Sequence, residues 1–311
     1  MRNKKLEIQW LRHAGQSLGF VPGLGGSVAA WQLDSHHAFN QTETVINLWR
    51  LWDGVSVDRY KLASFPMVPW SNRIGLGGFE QAKVFHKIVP NREGEAYPIH
   101  GDGWLQPWVL TQPSDDTVIM TLESDQFQGN PYKYRAVQQF VLHKDGMEQT
   151  LSVTHMGNES LPYGLGQHPW FLRSKTTRLY ASVKGVWLSG TDPMPTKHTG
   201  NFPKSWDLNQ GIDVNGTLVD NGFTGLVGDA CIHHPDKNLK ITMRLPEVLG
   251  GKSQDGFCLL YRPEHGSAFC FEPITHPIDA FHLPGRPGLV DLNYDETLTL
   301  KVNWGLATLD L

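Results

Sequence analysis

Apolar and polar residues alternate along much of this chain with the period of two that a β-strand imposes. Leu239, Ile241, Met243 and Leu245 alternate with Lys240, Thr242 and Arg244. Near the C-terminus, Leu298, Leu300, Val302 and Trp304 alternate with Thr297, Thr299, Lys301 and Asn303. A third run sets Met147, Leu151 and Val153 against Glu148, Thr150, Ser152 and Thr154. Asp145-Gly146, a favoured hairpin turn, precedes that run, and Phe140-Val141-Leu142 comes before the turn. Each run reads as an antiparallel strand with one face to the core and one to water. No stretch carries a sustained 3.6-residue apolar stripe with caps, so helices are expected to be short and peripheral. The region 189–216, rich in Gly, Pro, Thr and Asn, reads as long loops rather than a boundary. The fold expected is all-β, mainly antiparallel, one domain over residues 1–311, either sandwich or barrel.

Composition removes several functions. The 311 residues carry 27 Lys and Arg against 31 Asp and Glu, a net charge of −4. Nucleic acid, which needs clustered cations to displace counterions, is not an expected partner. No apolar run approaches the ~18–20 residues that span a bilayer, so no membrane is expected either. Thirty-two glycines and 20 prolines are too many for a helical bundle. Cys231, Cys258 and Cys270 are odd in number and lack a Cys-x-x-Cys pair, which fits neither a disulfide framework nor a zinc knuckle. Met1–Lys5 is basic, but Leu6-Glu7-Ile8-Gln9-Trp10 is not the apolar stretch of a signal peptide. The Asn-x-Ser/Thr triplets at Asn40, Asn158 and Asn215 therefore carry little weight, and a reduced, cytoplasmic protein is expected.

Common catalytic motifs are absent. Gly-Leu-Gly-Gly at 23–26 and at 75–78 fails to complete Gly-x-Gly-x-x-Gly, because Val28 and Glu80 occupy the last position. No P-loop, His-Glu-x-x-His or Gly-x-Ser-x-Gly occurs. Eleven tryptophans are many for this length, and Trp70, Trp104, Trp108 and Trp170 sit beside Gly, Pro or His. Aromatic faces beside hydrogen-bonding groups suit a sugar, whose ring has an apolar face and a belt of hydroxyls; core packing is the other reading. Phe269-Cys270-Phe271-Glu272-Pro273 surrounds a lone carboxylate with apolar neighbours. Desolvation there would raise the carboxyl pKa and suit it to proton transfer, and a histidine would complement it.

Taken together, the segments resemble the aldose 1-epimerase (galactose mutarotase) family over roughly residues 20–305. Gly25-Gly26-Ser27 is similar to its first glycine signature, and Phe65–Ile74 to its Asn-Arg-Ile segment. His100-Gly101 and Gly166-Gln167-His168-Pro169-Trp170-Phe171 are similar to its two histidine motifs. Val219-Asp220-Asn221-Gly222-Phe223 and Phe271-Glu272-Pro273 resemble its aspartate and glutamate motifs. The string His100-Gly101-Asp102-Gly103-Trp104, with Trp108 after it, resembles a bacterial branch of uncertain sugar preference. Trp170 stands where the family has Tyr or Phe, which would reshape the pocket.

The resemblance implies a large antiparallel β-sandwich of the galactose mutarotase-like supersandwich type, binding a small sugar in a cleft on a sheet face. It implies an isomerase that interconverts α and β anomers of a free aldohexose by opening and closing the ring. Glu272 would be the base and His168 the acid. His100 would hold or polarise the sugar, Arg73 and Asp220 would bind its hydroxyls, and Asn72 would support the Arg73 turn. The anomers are nearly equal in energy, so no cofactor and no metal is expected. Rival readings are a mutarotase for a phosphorylated or other anionic sugar, with Arg73, Arg173, Arg262 and Arg286 around the anion, and a non-catalytic carbohydrate-binding protein. A third is a glycoside hydrolase using Asp220 and Glu272 as paired carboxylates.

Overall fold

A computed structural model of the chain describes residues 6–34, 44–245, 248–249 and 256–309. The basic Met1–Lys5 segment and the Asn40 triplet lie outside the described residues. Strands dominate, and the helical segments among the described residues are three-residue 3-10 turns. None of the described helices is long and apolar enough to cross a membrane.

The alternating runs form strands whose apolar positions are buried: Gly146–His155, Leu239–Arg244 and Thr297–Thr308. Gln149 falls on the buried face and accepts a 2.9 Å hydrogen bond from Trp304 Nε1, so a polar residue inside the core keeps a partner. The hairpin before it differs by one residue from the expected turn. His143 pairs with Gly146, which leaves Lys144-Asp145 as the turn and puts Gly146 at the start of the strand. A Cβ on Gly146 would lie 1.9 Å from the Trp304 carbonyl oxygen, so the approach of the neighbouring strand demands glycine, as does its own φ of +151°.

Two ladders make up the body. One runs through Val109–Ser114, Thr117–Asp125, Lys133–His143, Gly146–His155, Thr297–Thr308 and Leu239–Arg244, each antiparallel to the next. The other contains Gly256–Arg262 and Ala268–Ile274, with Gly166–Gln167 and Trp170–Leu172 against the latter. The 16-residue strand Val219–His234 belongs to both. Its first half pairs with Gly256–Arg262 and its second with Leu239–Arg244, with a register shift between Thr224 and Leu226. That bulge turns the strand from one ladder into the other, and hydrogen-bonded neighbours close the circuit. All-β architecture built from large antiparallel sheets is therefore the fold, as expected.

The main core lies between the ladders. Leu298, Leu300, Val302 and Trp304 meet Leu260, Phe269 and Phe271 there, with Trp31 and Trp49 filling the middle. Alternation then sends Ala268, Cys270 and Glu272 to the opposite face of their strand, where smaller apolar clusters contain Leu259, Trp104 and Trp170. Both faces of this strand are covered, so the entire run from Ala268 to Ile274 is buried.

Trp49 packs edge-on against Trp31, Phe171 and Trp304, with ring centroids 5.1, 6.2 and 5.6 Å away. Trp49→Ala should lower the unfolding free energy by about 3–5 kcal/mol in urea titrations, because the cavity cannot collapse between two sheets. An unchanged midpoint would show that these rings do not hold the ladders together.

Candidate active site

A cleft of ≈ 270 Å³ opens on the second ladder, away from the main core. Its walls include Tyr60, Asn72, Arg73, Arg92, Glu95, His100, His168, Trp170, Asp220, Tyr261 and Glu272. All six residues singled out from the sequence line this one space.

Register brings the central pair together. Gly166 pairs with Ile274 and Trp170 with Cys270, and the same antiparallel register places His168 opposite Glu272. Directly opposed side chains lie about 5 Å apart at Cβ. Here His168 Nε2 stands 3.3 Å from Glu272 Oε1. Gly166 makes the approach possible, since a Cβ there would come within 2.9 Å of Ile274 Cγ2 and 2.5 Å of Met67 Cε. The His168 ring stacks on Phe65 with centroids 4.4 Å apart, and its backbone N–H donates to the Phe65 carbonyl at 3.0 Å. Only 4% of His168 and 1% of Glu272 is exposed. Burial pushes the Glu272 carboxyl well above the usual range, with Asp220 adding to the effect and Arg73 opposing it. Burial also lowers His168 to about 3. The resting pair is therefore driven towards its uncharged form.

His100 reaches the cleft from a left-handed turn. Asp102 and Gly103 N–H groups both donate to the Val68 carbonyl at 3.0 Å, and Gly101 has φ +68°. A Cβ at Gly101 would lie 2.1 Å from that carbonyl oxygen, so only glycine fits. His100 N–H donates to the Asn72 carbonyl at 2.9 Å, and Asn72 N–H returns a 3.0 Å bond to His100 Nδ1. With Nδ1 accepting, the ring proton sits on Nε2. Burial, with His168 and Arg73 nearby, holds His100 well below its ordinary pKa. Asn72 Oδ1 accepts from Arg73 N–H at 2.9 Å, which ties the two histidine-side loops to the arginine.

Arg73 is held on two sides. Its Nε donates to Glu95 Oε2 at 3.1 Å and its Nη1 to Asp220 Oδ2 at 3.3 Å. Burial alone would lower the guanidinium, but Asp220 and Glu95 together raise it. Asp220 is itself raised by burial, against the pull of Arg73. Arg92 pairs with Glu95 at 3.3 Å and lies 3.6 Å over the Tyr60 ring. Arg50 lies 4.1 Å over Trp170 and donates to the carbonyls of Tyr60 and Leu62.

Several expectations change. Of the four tryptophans, only Trp170 lines the cleft. Trp104 and Trp108 are buried supports whose indole N–H groups donate to Gly101 and Gly103 carbonyls at 3.0 and 2.9 Å. The Gly25-Gly26 turn packs on them, where a Cβ on Gly26 would come within 2.7 Å of the Trp108 ring. Arg173, Arg262 and Arg286 do not converge on Arg73; each is spent largely on carbonyls elsewhere. Arg50 and Arg92 take their place, with Tyr60, Glu95 and Tyr261, none of which stood in a sequence motif. Donor atoms of His168, Cys270 and Glu272 all lie within 4.8 Å of one another, a set able to hold a metal ion.

Residues 10–303 match the family model of aldose 1-epimerase. The uncharacterized protein YphB of Escherichia coli (strain K12) is 34% identical over 259 residues, covering 81% of this chain and 86% of that protein. The crystal structure of an Escherichia coli K12 protein provisionally named an aldose 1-epimerase superposes with a TM-score of 0.85 at 29% identity, covering 97% and 99% of the two chains. A galactose mutarotase-like protein from Clostridium acetobutylicum gives a TM-score of 0.80 at 17% identity over 99% and 100% of the chains, which shows the fold alone.

The hydrogen bond into His100 Nδ1 makes a spectroscopic prediction. In ¹⁵N NMR, His100 should keep its neutral, Nε2-protonated form as pH falls through 6.5, the ordinary histidine value. Conversion to imidazolium at that pH would contradict the assigned bond.

Proposed function

The chain belongs to the aldose 1-epimerase family, and on that premise we propose that it interconverts the α and β anomers of a free, neutral aldohexose. Family membership implies a small sugar as ligand. The single observation that carries the reading is the 3.3 Å contact between His168 Nε2 and Glu272 Oε1 on the wall of the cleft. The anomeric hydroxyl oxygen and the ring oxygen are bonded to one carbon, so a proton acceptor and a proton donor must also be neighbours. A cross-strand pair supplies that spacing. We also infer that residues 1–311 act as one domain and that the protein works in the reducing cytoplasm, where its three free cysteines would persist.

In the proposed cycle the pair holds one proton. Burial places it on the carboxyl at rest, and transfer across the contact gives the carboxylate and imidazolium that the reaction uses. Hydroxyls of the bound sugar and the Arg73 guanidinium offset the cost of that charge separation. Glu272 takes the proton from the anomeric hydroxyl while His168 protonates the ring oxygen. The bond between the anomeric carbon and ring oxygen breaks, and the aldehyde carbonyl forms. Rotation about C1–C2 and the reverse transfers close the ring on the other face. Each proton-transfer group contributes about 10²–10⁴-fold. His100 Nε2–H, Arg73 and Asp220 bind the sugar oxygens, and Trp170 with Tyr261 offers it an apolar wall. Asn72 holds the His100 and Arg73 loops in place. No metal or cofactor enters any step.

Charge balance favours a neutral substrate. Arg50, Lys61, Arg73 and Arg92 line the cleft, but so do the carboxylates Asp58, Glu95 and Asp220. Three of the cations are already bound to carboxylates or carbonyls, which leaves no cluster free for a phosphate. A purely binding site would gain nothing from a buried histidine–carboxyl pair, whose desolvation is costly. Arg73 restrains Asp220, an arrangement suited to binding hydroxyls rather than to activating a hydrolytic water.

Glu272→Gln should slow anomer exchange, followed by NMR on equilibrated glucose and galactose, by at least about 10²-fold. Its melting temperature should not fall, because a desolvated carboxyl is removed. His168→Ala should lower kcat by a similar factor, whereas a change confined to KM would remove it as the acid. Arg73→Ala should raise KM roughly tenfold or more with a smaller change in kcat.

The pH profile follows from the same pair. Adding a second proton requires protonating His168, which is lowered to about 3, and removing the shared proton requires ionising the raised Glu272. The acid limb of kcat/KM should therefore lie well below the ordinary histidine value, and the alkaline limb above the ordinary carboxylate value. An acid limb near pH 6.5, the ordinary histidine value, would count against His168 as the group that moves the proton.

A further inference from the structure

Cys270 is a buried nucleophile that the proposed reaction does not use. It sits two residues before Glu272 on the same strand, and side chains two apart share a face. Register pairs Cys270 with Trp170, the residue two places beyond His168 on the opposing segment. The thiol therefore stands diagonal to the histidine and next to the carboxyl. Its Sγ, a ring nitrogen of His168 and a carboxylate oxygen of Glu272 all lie within 4.8 Å of one another. All three residues are buried, with 0%, 4% and 1% exposed.

Donor type and environment both suit a metal. One soft thiolate sulfur, one borderline imidazole nitrogen and one hard carboxylate oxygen form a mixed set that zinc accepts with three protein ligands and an open fourth position. Hard cations such as magnesium take oxygen ligands and disfavour the thiolate. A second observation points the same way: Glu272 Oε2 and His168 Nδ1 are buried without hydrogen-bond partners. A coordinated cation would hold the carboxylate and the imidazole, and both of those residues line the cleft.

We propose that Cys270, His168 and Glu272 form a binding site for a thiophilic divalent cation of the zinc class, and that its occupancy switches off anomer exchange. Binding replaces the thiol proton and the proton shared by His168 and Glu272, both of which leave to solvent. The cation then occupies the acid and base together, so sugar and metal compete. The blocking half of this inference rests on the reading of His168 and Glu272 as the proton-transfer pair; the binding half does not.

The test uses the full chain with zinc and cadmium salts. Wild type should bind one equivalent of zinc in equilibrium dialysis, and cadmium should produce a thiolate-to-metal absorption band in the ultraviolet. Cys270→Ala should abolish that band and weaken zinc binding by about tenfold or more, while keeping metal-free exchange. Cys270→Ser, which preserves the shape of the side chain, takes its place if the alanine variant fails to fold. Zinc should inhibit wild-type exchange reversibly and competitively with sugar, and the variant should resist it. Equal zinc affinity in wild type and variant, or the absence of a band that depends on Cys270, overturns the site. Binding with a band but undiminished exchange at saturating zinc overturns the switch. A Cys270-dependent band in a protein inactive on every aldose supports the site and removes the catalytic reading instead, so the two fail separately.

Discussion

The site depends on one register. Gly166 opposite Ile274 and Trp170 opposite Cys270 fix His168 opposite Glu272, and a slip of one residue would turn either side chain towards the main core. Much of the surrounding packing maintains that alignment. Phe269 and Phe271 anchor the glutamate strand from the core side, and Phe65 stacks on the histidine from the cleft side. Gly166 keeps the two segments close enough for contact.

Burying such a pair has consequences for the whole cleft. Desolvation moves Glu272 up and His168 down, so both resist charge. The rim is organised in the opposite way. Arg73 is held by Glu95 and Asp220, and its position follows from them and from Asn72. A rim with its charges matched and a dry wall with its charges suppressed support the proposed neutral, polyhydroxylated ligand. Cys270 lies on the same strand face as Glu272, and the proposed cation competition arises because a thiol, an imidazole and a carboxyl were brought together by strand geometry.

The His100 and Arg73 loops illustrate how much support lies outside the cleft. The Gly25-Gly26 turn packs against Trp104 and Trp108, whose indoles bind the carbonyls of Gly101 and Gly103. Asp102, within the same turn, accepts from Tyr134 and Asn130 and is pushed up to about 6 by burial. The tryptophans that looked like sugar platforms act instead as the frame of a loop.

Sequence by itself determined the strand class and the faces of its clearest strands, because a period of two is a local property that survives any tertiary arrangement. The resemblance of its motifs to the aldose 1-epimerase family also pointed to the six residues that meet in the cleft. Tertiary structure alone decided that Trp104 faces a loop and Trp170 the cleft, that Arg50 and Arg92 join Arg73 while Arg173, Arg262 and Arg286 do not, and that Gly146 lies against the Trp304 carbonyl. It also placed Cys270 beside His168. These are matters of which distant segments become neighbours, and residues far apart in the chain bear no local mark of the partner they will meet.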